Sequence, residues 1–178
     1  FSITINAGEK VAIIGESGSG KTTLLNLLFG VLQQDSGHIT FNDQELNQEA
    51  RQQIGSYILQ ESYYFDNLGL YENISLGKPI NHEKIEDVLT KVCLPYLKEK
   101  NRITNQSLSG GEKQRLEIAR SLYYEKDFIL ADEVKSNLDK QTAQEIEDVL
   151  FSLPQTVIEV IHHYSDETLK RYDKIIEL

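Results

Sequence analysis

Eight residues, GESGSGKT at positions 15–22, restrict this chain more than any other stretch. KVAIIG leads into them, an apolar and β-branched run that reads as a buried strand. TLLNLLFG follows, with Leu24, Leu25, Leu27 and Leu28 at helical spacing and Gly30 as a C-terminal stop. Strand, glycine-rich loop and helix, in that order, are the context in which G-x-x-x-x-G-K-S/T makes a phosphate cradle. Gly15, Gly18 and Gly20, with Glu16, Ser17 and Ser19 between them, let consecutive backbone N–H groups point inward. The following helix turns its positive end to the same point. Lys21 adds a full charge suited to β/γ-phosphates, and the hydroxyl of Thr22, next to Thr23, is a hard oxygen suited to Mg2+.

The rest of the composition narrows the function classes. At 178 residues the chain is long enough for one well-cored domain, with room for a subdomain. A formal net charge of −10 and no basic block disfavour a nucleic-acid partner, which requires a cationic footprint. The acidity reads as a solvated surface. The single cysteine, Cys93, excludes an internal disulfide and fits a reducing compartment; its expected place is buried, on a helix, as a small apolar residue. No apolar run approaches the length of a membrane span, and no secretory leader is expected. The chain opens with FSITINAGE, inside a strand pattern, which reads as a piece of something longer.

Residues 2–5 alternate as a strand, and Ala7-Gly8-Glu9 turns the chain into the strand before the loop. SGHITFND reads as a short strand ending in an Asn-Asp turn, residues 49–53 as a short helix or turn, and SYILQ at 56–60 as another strand. From Gln60 to about Gln106 the pattern loses its period and reads as a mainly helical insert. In it Asn81 caps a helix carrying Ile85, Val88, Leu89 and Val92, and Pro95 interrupts that helix. Order returns with LSGGEKQRLEIARSLYY, where Ser109 can cap a helix with Leu116, Ala119 and Leu122 on its core side. FILA is a buried strand ending at Asp132 and Glu133; a helix over 141–150, the strand TVIEVI, a short helix SDETLKRY and a final strand KIIEL complete the chain. Strands alternating with helices predict an α/β fold with a largely parallel sheet and helices on both faces. Ligands in such sheets gather at the C-terminal strand edge, where Gly15, Gln60, Asp132 and His162 would meet.

Four features follow the phosphate loop in fixed order: Gln60 ending a strand, LSGGEKQR at 108–115, FILADE at 128–133 and IHHYS at 161–165. On these residues the chain resembles, over essentially its whole length, the nucleotide-binding domain of ABC ATPases. The resemblance makes GESGSGKT the Walker A segment, FILADE the Walker B segment, LSGGE the signature, SNLD ending in Asp139 the D-loop and His162 the switch histidine. It implies a P-loop NTPase core with a small helical subdomain, divided as core at 1–61, helical subdomain at 62–107, and signature helix with the rest of the core at 108–178. Asp132 would hold Mg2+ through water and complete the site begun by Thr22. Glu133 would polarise the attacking water, chiefly by orientation and charge placement. The Gln60 amide would reach both Mg2+ and that water. His162 would hydrogen-bond the γ-phosphate through a neutral imidazole, and His163, pointing to the other strand face, is the alternative.

Ser109 and the amides of Gly110 and Gly111 form a second anion site at a helix start. In ABC proteins that site closes the ATP of a partner, so a head-to-tail pair of nucleotide-binding domains is implied. FDNLGLYENISLG and FSITINAGEKVAIIG resemble exporter domains, in which the region after Gln60 grips a transmembrane domain at the cytoplasmic face of the membrane. Tyr63, Tyr64 and Phe65 are either that contact or a packed subdomain core. ITNQS does not match the Gly/Glu-containing segment of exporters, EVKSNLD lacks the usual proline or alanine, and the family's adenine-stacking aromatic falls upstream of residue 1. An importer subunit, a soluble ABC-type ATPase and a non-hydrolysing regulator are the alternatives.

Overall fold

The computed structural model describes residues 2–59, 61–100, 102–136 and 138–178. The chain divides into two compact units. The first comprises 1–57, 126–133 and 153–178; the second comprises 58–125 and 134–152.

The first unit is built on strands β1 (Lys10–Ile14), β4 (Gly55–Ile58), β5 (Phe128–Asp132), β6 (Thr156–Val160) and β7 (Lys174–Glu177), in the order β4-β5-β6-β1-β7. β1 pairs in parallel with both β6 and β7, and β6 in parallel with β5. All five residues of β1 are buried, which is why KVAII shows no alternation. Val11, Ile13, Leu130, Ile158, Val160 and Ile176 close one core cluster with Leu25 of helix α1 (Lys21–Phe29). Leu25 is fully buried, so burying it contributes about 2 kcal/mol. At the N-terminal end of β1, Lys10 is 6 % exposed, and its ammonium donates to the carbonyls of Gly8, Leu153 and Gln155 at 3.0, 2.8 and 2.7 Å. Burial pushes that ammonium below its usual value, while Asp173 opposes the shift.

The Asn-Asp turn forms as expected. β2 (Thr40–Phe41) and β3 (Gln44–Glu45) pair across Asn42 and Asp43, both at positive φ (49° and 61°), as a tight hairpin turn requires. Helix α2 (Gln48–Ile54) starts at Asn47, whose side chain accepts from the Ala50 N–H. The strand expected at 2–5 does not form. Both sides of β1 are taken by β6 and β7, and residues 2–5 pair with none of the described strands.

The second unit is helical: α3 (Leu70–Ser75), α4 (His82–Lys91), a 3₁₀ turn (Pro95–Glu99), α5 (Gly110–Tyr123) and α6 (Lys140–Ser152). Ile85, Val88 and Leu89 are the buried face of α4, and Asn81 caps it. α5 and α6 approach so closely that a Cβ on Gly111 would overlap the Thr142 methyl. Cys93 corrects the sequence reading: it is exposed and off the helix. With φ at 59° it is the turning residue that lets the Leu94 N–H return to the Leu89 carbonyl at 2.8 Å. That closure buries Leu94 and exposes Cys93. Helix α7 (Asp166–Leu169), in the first unit, is capped by Ser165. No helix among the described residues is long and apolar enough to cross a membrane.

Candidate active site

In the first unit, β1, β5 and β6 run in parallel, so their C-terminal ends share one edge. β1 delivers the loop that starts at Gly15, β5 ends on Asp132, and β6 leads to His162. Glu16, Ser17, Gly18 and Ser19 lie exposed in the loop, and Thr22 and Thr23 open α1 facing solvent. Gly18 and Gly20 take φ of 82° and 100°, and nothing lies within 4 Å of where a Cβ would stand on either. The loop is therefore an open concavity of main chain, at the start of a helix that no side chain caps. Lys21 is only 4 % exposed and donates to the carbonyls of Gly15 and Glu16 at 2.9 and 2.7 Å. An ammonium has three N–H groups, so among the described residues one remains for a ligand.

Asp132 is 8 % exposed. Its Oδ1 lies 3.5 Å from the Thr22 hydroxyl, and its Oδ2 accepts from the Tyr57 hydroxyl at 3.2 Å. Burial, reinforced by the Asp132 charge, pushes the Tyr57 phenol far above its usual value, so it stays a donor. Tyr57 was not singled out in the sequence; its signal was being a polar-tipped aromatic on a buried strand beside β5. Among the described residues no group of three or more His, Cys, Asp or Glu could hold a metal alone. A pair made of one carboxylate and one hydroxyl suits Mg2+, which keeps waters and takes its remaining ligands from phosphate.

Glu133 sits at φ 51°, the left-handed region that a residue with a Cβ enters at a cost. Its Oε1 is 2.7 Å from Nε2 of His162. A carboxylate only accepts, so Nε2 of His162 carries the proton. His163 is exposed, and its neighbour His162 is the one that faces Glu133. Lys21, Thr22, Asp132, Glu133 and His162 thus lie in one unit. Gln60 lies outside the described residues.

The remaining candidates lie in the second unit. Ser109 and Glu112 form a reciprocal cap on α5: the Ser109 N–H donates to Glu112 at 2.7 Å, and the Glu112 N–H donates to the Ser109 hydroxyl oxygen at 3.2 Å. Among the described residues the hydroxyl proton of Ser109 is left for another acceptor, beside the amides of Gly110 and Gly111. Asp139 caps α6, accepting from the N–H groups of Gln141 and Thr142 and from the Thr142 hydroxyl. The hydrogen bonds from Thr142 hold its carboxyl below the usual range. Asn137, inside SNLD, lies outside the described residues. Of the three aromatics after Gln60, Tyr64 is core at 1 % exposure, while Tyr63 and Phe65 are exposed at 57 % and 38 % and stack edge to face. Buried Arg120 of α5 holds this segment by donating to the carbonyls of Asn73 and Tyr63.

The family model described as ABC transporter matches residues 1–136. The chain is 37 % identical to the thiamine import ATP-binding protein ThiQ of Haemophilus influenzae, over 99 % of this chain and 86 % of that protein. It is 35 % identical to the lipoprotein-releasing system ATP-binding protein LolD of Legionella pneumophila, over 99 % and 83 %. Among solved structures it is similar to a bacterial Atm1-family ABC exporter with ATP bound, at 28 % identity and a TM-score of 0.80, covering 97 % of this chain and 32 % of that one. The chain belongs to the ABC transporter family, as a transporter's ATP-binding domain with ATPase activity.

Proposed function

We propose that the chain is the motor domain of an ABC exporter, hydrolysing ATP with Mg2+ at the cytoplasmic face of a membrane. The observation that carries this reading is the 2.7 Å contact of His162 with Glu133, next to Asp132 on the edge that bears the glycine loop. The loop amides and the remaining N–H of Lys21 bind and orient the β- and γ-phosphates. Thr22 and Asp132, with Gln60, are the residues that would hold Mg2+. Bound there, the ion would neutralise charge developing on the phosphate oxygens. Glu133 orients the attacking water and accepts its proton. When Nε2–H of His162 exchanges Glu133 for a γ-phosphate oxygen, the carboxylate is released to meet that water.

The hydroxyl proton of Ser109 and the amides of Gly110 and Gly111 suit a second anion site, closing the ATP of a second nucleotide-binding domain; Asp139, an anion that caps α6, would serve that closure through the partner's donors and not through phosphate. The exposed pair Tyr63 and Phe65 is a candidate seat for a transmembrane domain. Exporter type is supported by FDNLGLYENISLG and by the likeness to an exporter structure. A second reading, an importer's ATPase subunit, is favoured by the 37 % identity to a thiamine import protein. Apolar spans of about 20 residues encoded in the same reading frame would decide for a fused exporter. The mechanism is tested with Glu133→Gln, expected to lower turnover on the order of 100-fold while ATP affinity holds. Equal turnover in both proteins would overturn it.

A further inference from the structure

Asp132 has two carboxylate oxygens with different neighbours. Oδ1 faces the Thr22 hydroxyl at 3.5 Å, and Oδ2 accepts from the Tyr57 hydroxyl at 3.2 Å. Tyr57 lies on β4, the strand next to β5, so the sheet itself sets the distance between the two side chains. Its ring meets Phe29 edge to face, with centroids 5.5 Å apart and planes at 66°. Phe29 is the last residue of α1, the helix whose second residue is Thr22. One helix therefore supplies a metal-facing hydroxyl at its start and, at its end, a ring that packs on the tyrosine's edge, while the phenol hydroxyl alone holds Oδ2.

We infer that Tyr57 is a positioning residue that pins Oδ2 of Asp132 and so aims Oδ1 at the divalent cation. A carboxylate free to rotate offers the ion either oxygen at many angles. One held by a phenol offers a single oxygen in a single direction. Groups that orient a metal-holding carboxylate commonly change metal affinity or activity by about 10- to 100-fold. The inference rests on Asp132 facing Mg2+, as proposed above.

The test is a titration of the purified protein with Mn2+ in the presence of a non-hydrolysable ATP analogue, reading free Mn2+ by its paramagnetic resonance signal. Tyr57→Phe keeps the ring and removes only the hydroxyl. It is expected to weaken Mn2+ binding about 10-fold and to raise the Mg2+ needed for half-maximal turnover by a similar factor. Analogue affinity in EDTA should stay within about twofold, because the phosphate loop is untouched. Phe29→Leu removes the ring contact but leaves the hydroxyl, and should shift neither titration. Tyr57→Phe binding Mn2+ like wild type, or losing only thermal stability, would overturn the inference. A shift of equal size in Phe29→Leu would assign the effect to packing and overturn it as well. Wild-type protein that takes up no Mn2+ beside the analogue would remove the metal reading itself, a result distinct from these.

Discussion

Two buried lysines mark the two ends of β1, and they are treated differently. Lys10, at the start of the strand, is 6 % exposed; Lys21, just past the loop that follows the strand, is 4 % exposed. Lys10 donates to three carbonyls and has no N–H left. Lys21 donates to two, among the described residues. The same buried cation is a finished piece of structure at one end and one bond short at the other. Burial alone does not mark a functional residue. The count of its unused donors does, because a buried charge lacking a partner keeps affinity for an anion.

The contrast breaks most sharply on ligand binding. Lys21→Ala should weaken ATP binding about 100-fold, losing charge-assisted bonds to phosphate. Its midpoint of urea unfolding without nucleotide should fall less than that of Lys10→Met, because two carbonyls and not three lose their donor. Unchanged affinity by calorimetry would mean that Lys21 is as finished as Lys10. Next in size, Lys10→Met should cost about 2 kcal/mol of stability, because three carbonyls lose their donor. ATP affinity should not move; a loss of binding in that variant would erase the distinction. The smallest effect is on pH. Burial depresses the Lys10 pKa below 10.5, so in the folded state the proton leaves earlier than in the unfolded chain. The unfolded state then binds more protons, and this group's contribution to stability rises with pH from the folded-state pKa up to 10.5. Wild type should accordingly gain on Lys10→Met as pH rises toward 10.5 in urea unfolding.

The parts of this molecule that could be read in the sequence are those fixed by local chemistry. The glycine loop, the caps at Asn81 and Ser109, and the Asn-Asp turn each carry their own signal within a few residues. What escaped depends on distant partners. Helix α3 is six residues long and has no period to detect; it is held by Asn73, whose amide donates to the carbonyls of Phe65, Leu68 and Gly69. Cys93 was misplaced because a left-handed turn at the end of α4 overrode its apolar character. Residues 2–5 alternate correctly but pair with none of the described strands, and a strand without a ladder is not a strand. The candidate site divides along the same line. Lys21 and Thr22 follow from spacing, and Asp132 and Glu133 follow from a strand end. The bond from Tyr57 to Asp132 joins residues 75 positions apart and has no local mark.

Position 133 holds two demands that pull against each other. Its backbone lies where glycine or asparagine would rest most easily, and its side chain reaches Nε2 of His162 only as a full-length carboxylate. Selection for robustness alone would replace this glutamate with a residue that relaxes the turn. A chain that retains it accepts a local weakness in its architecture, one that a search for thermostable variants would find first; on the mechanism proposed above, relaxing it would yield a sturdier protein with turnover lowered on the order of 100-fold.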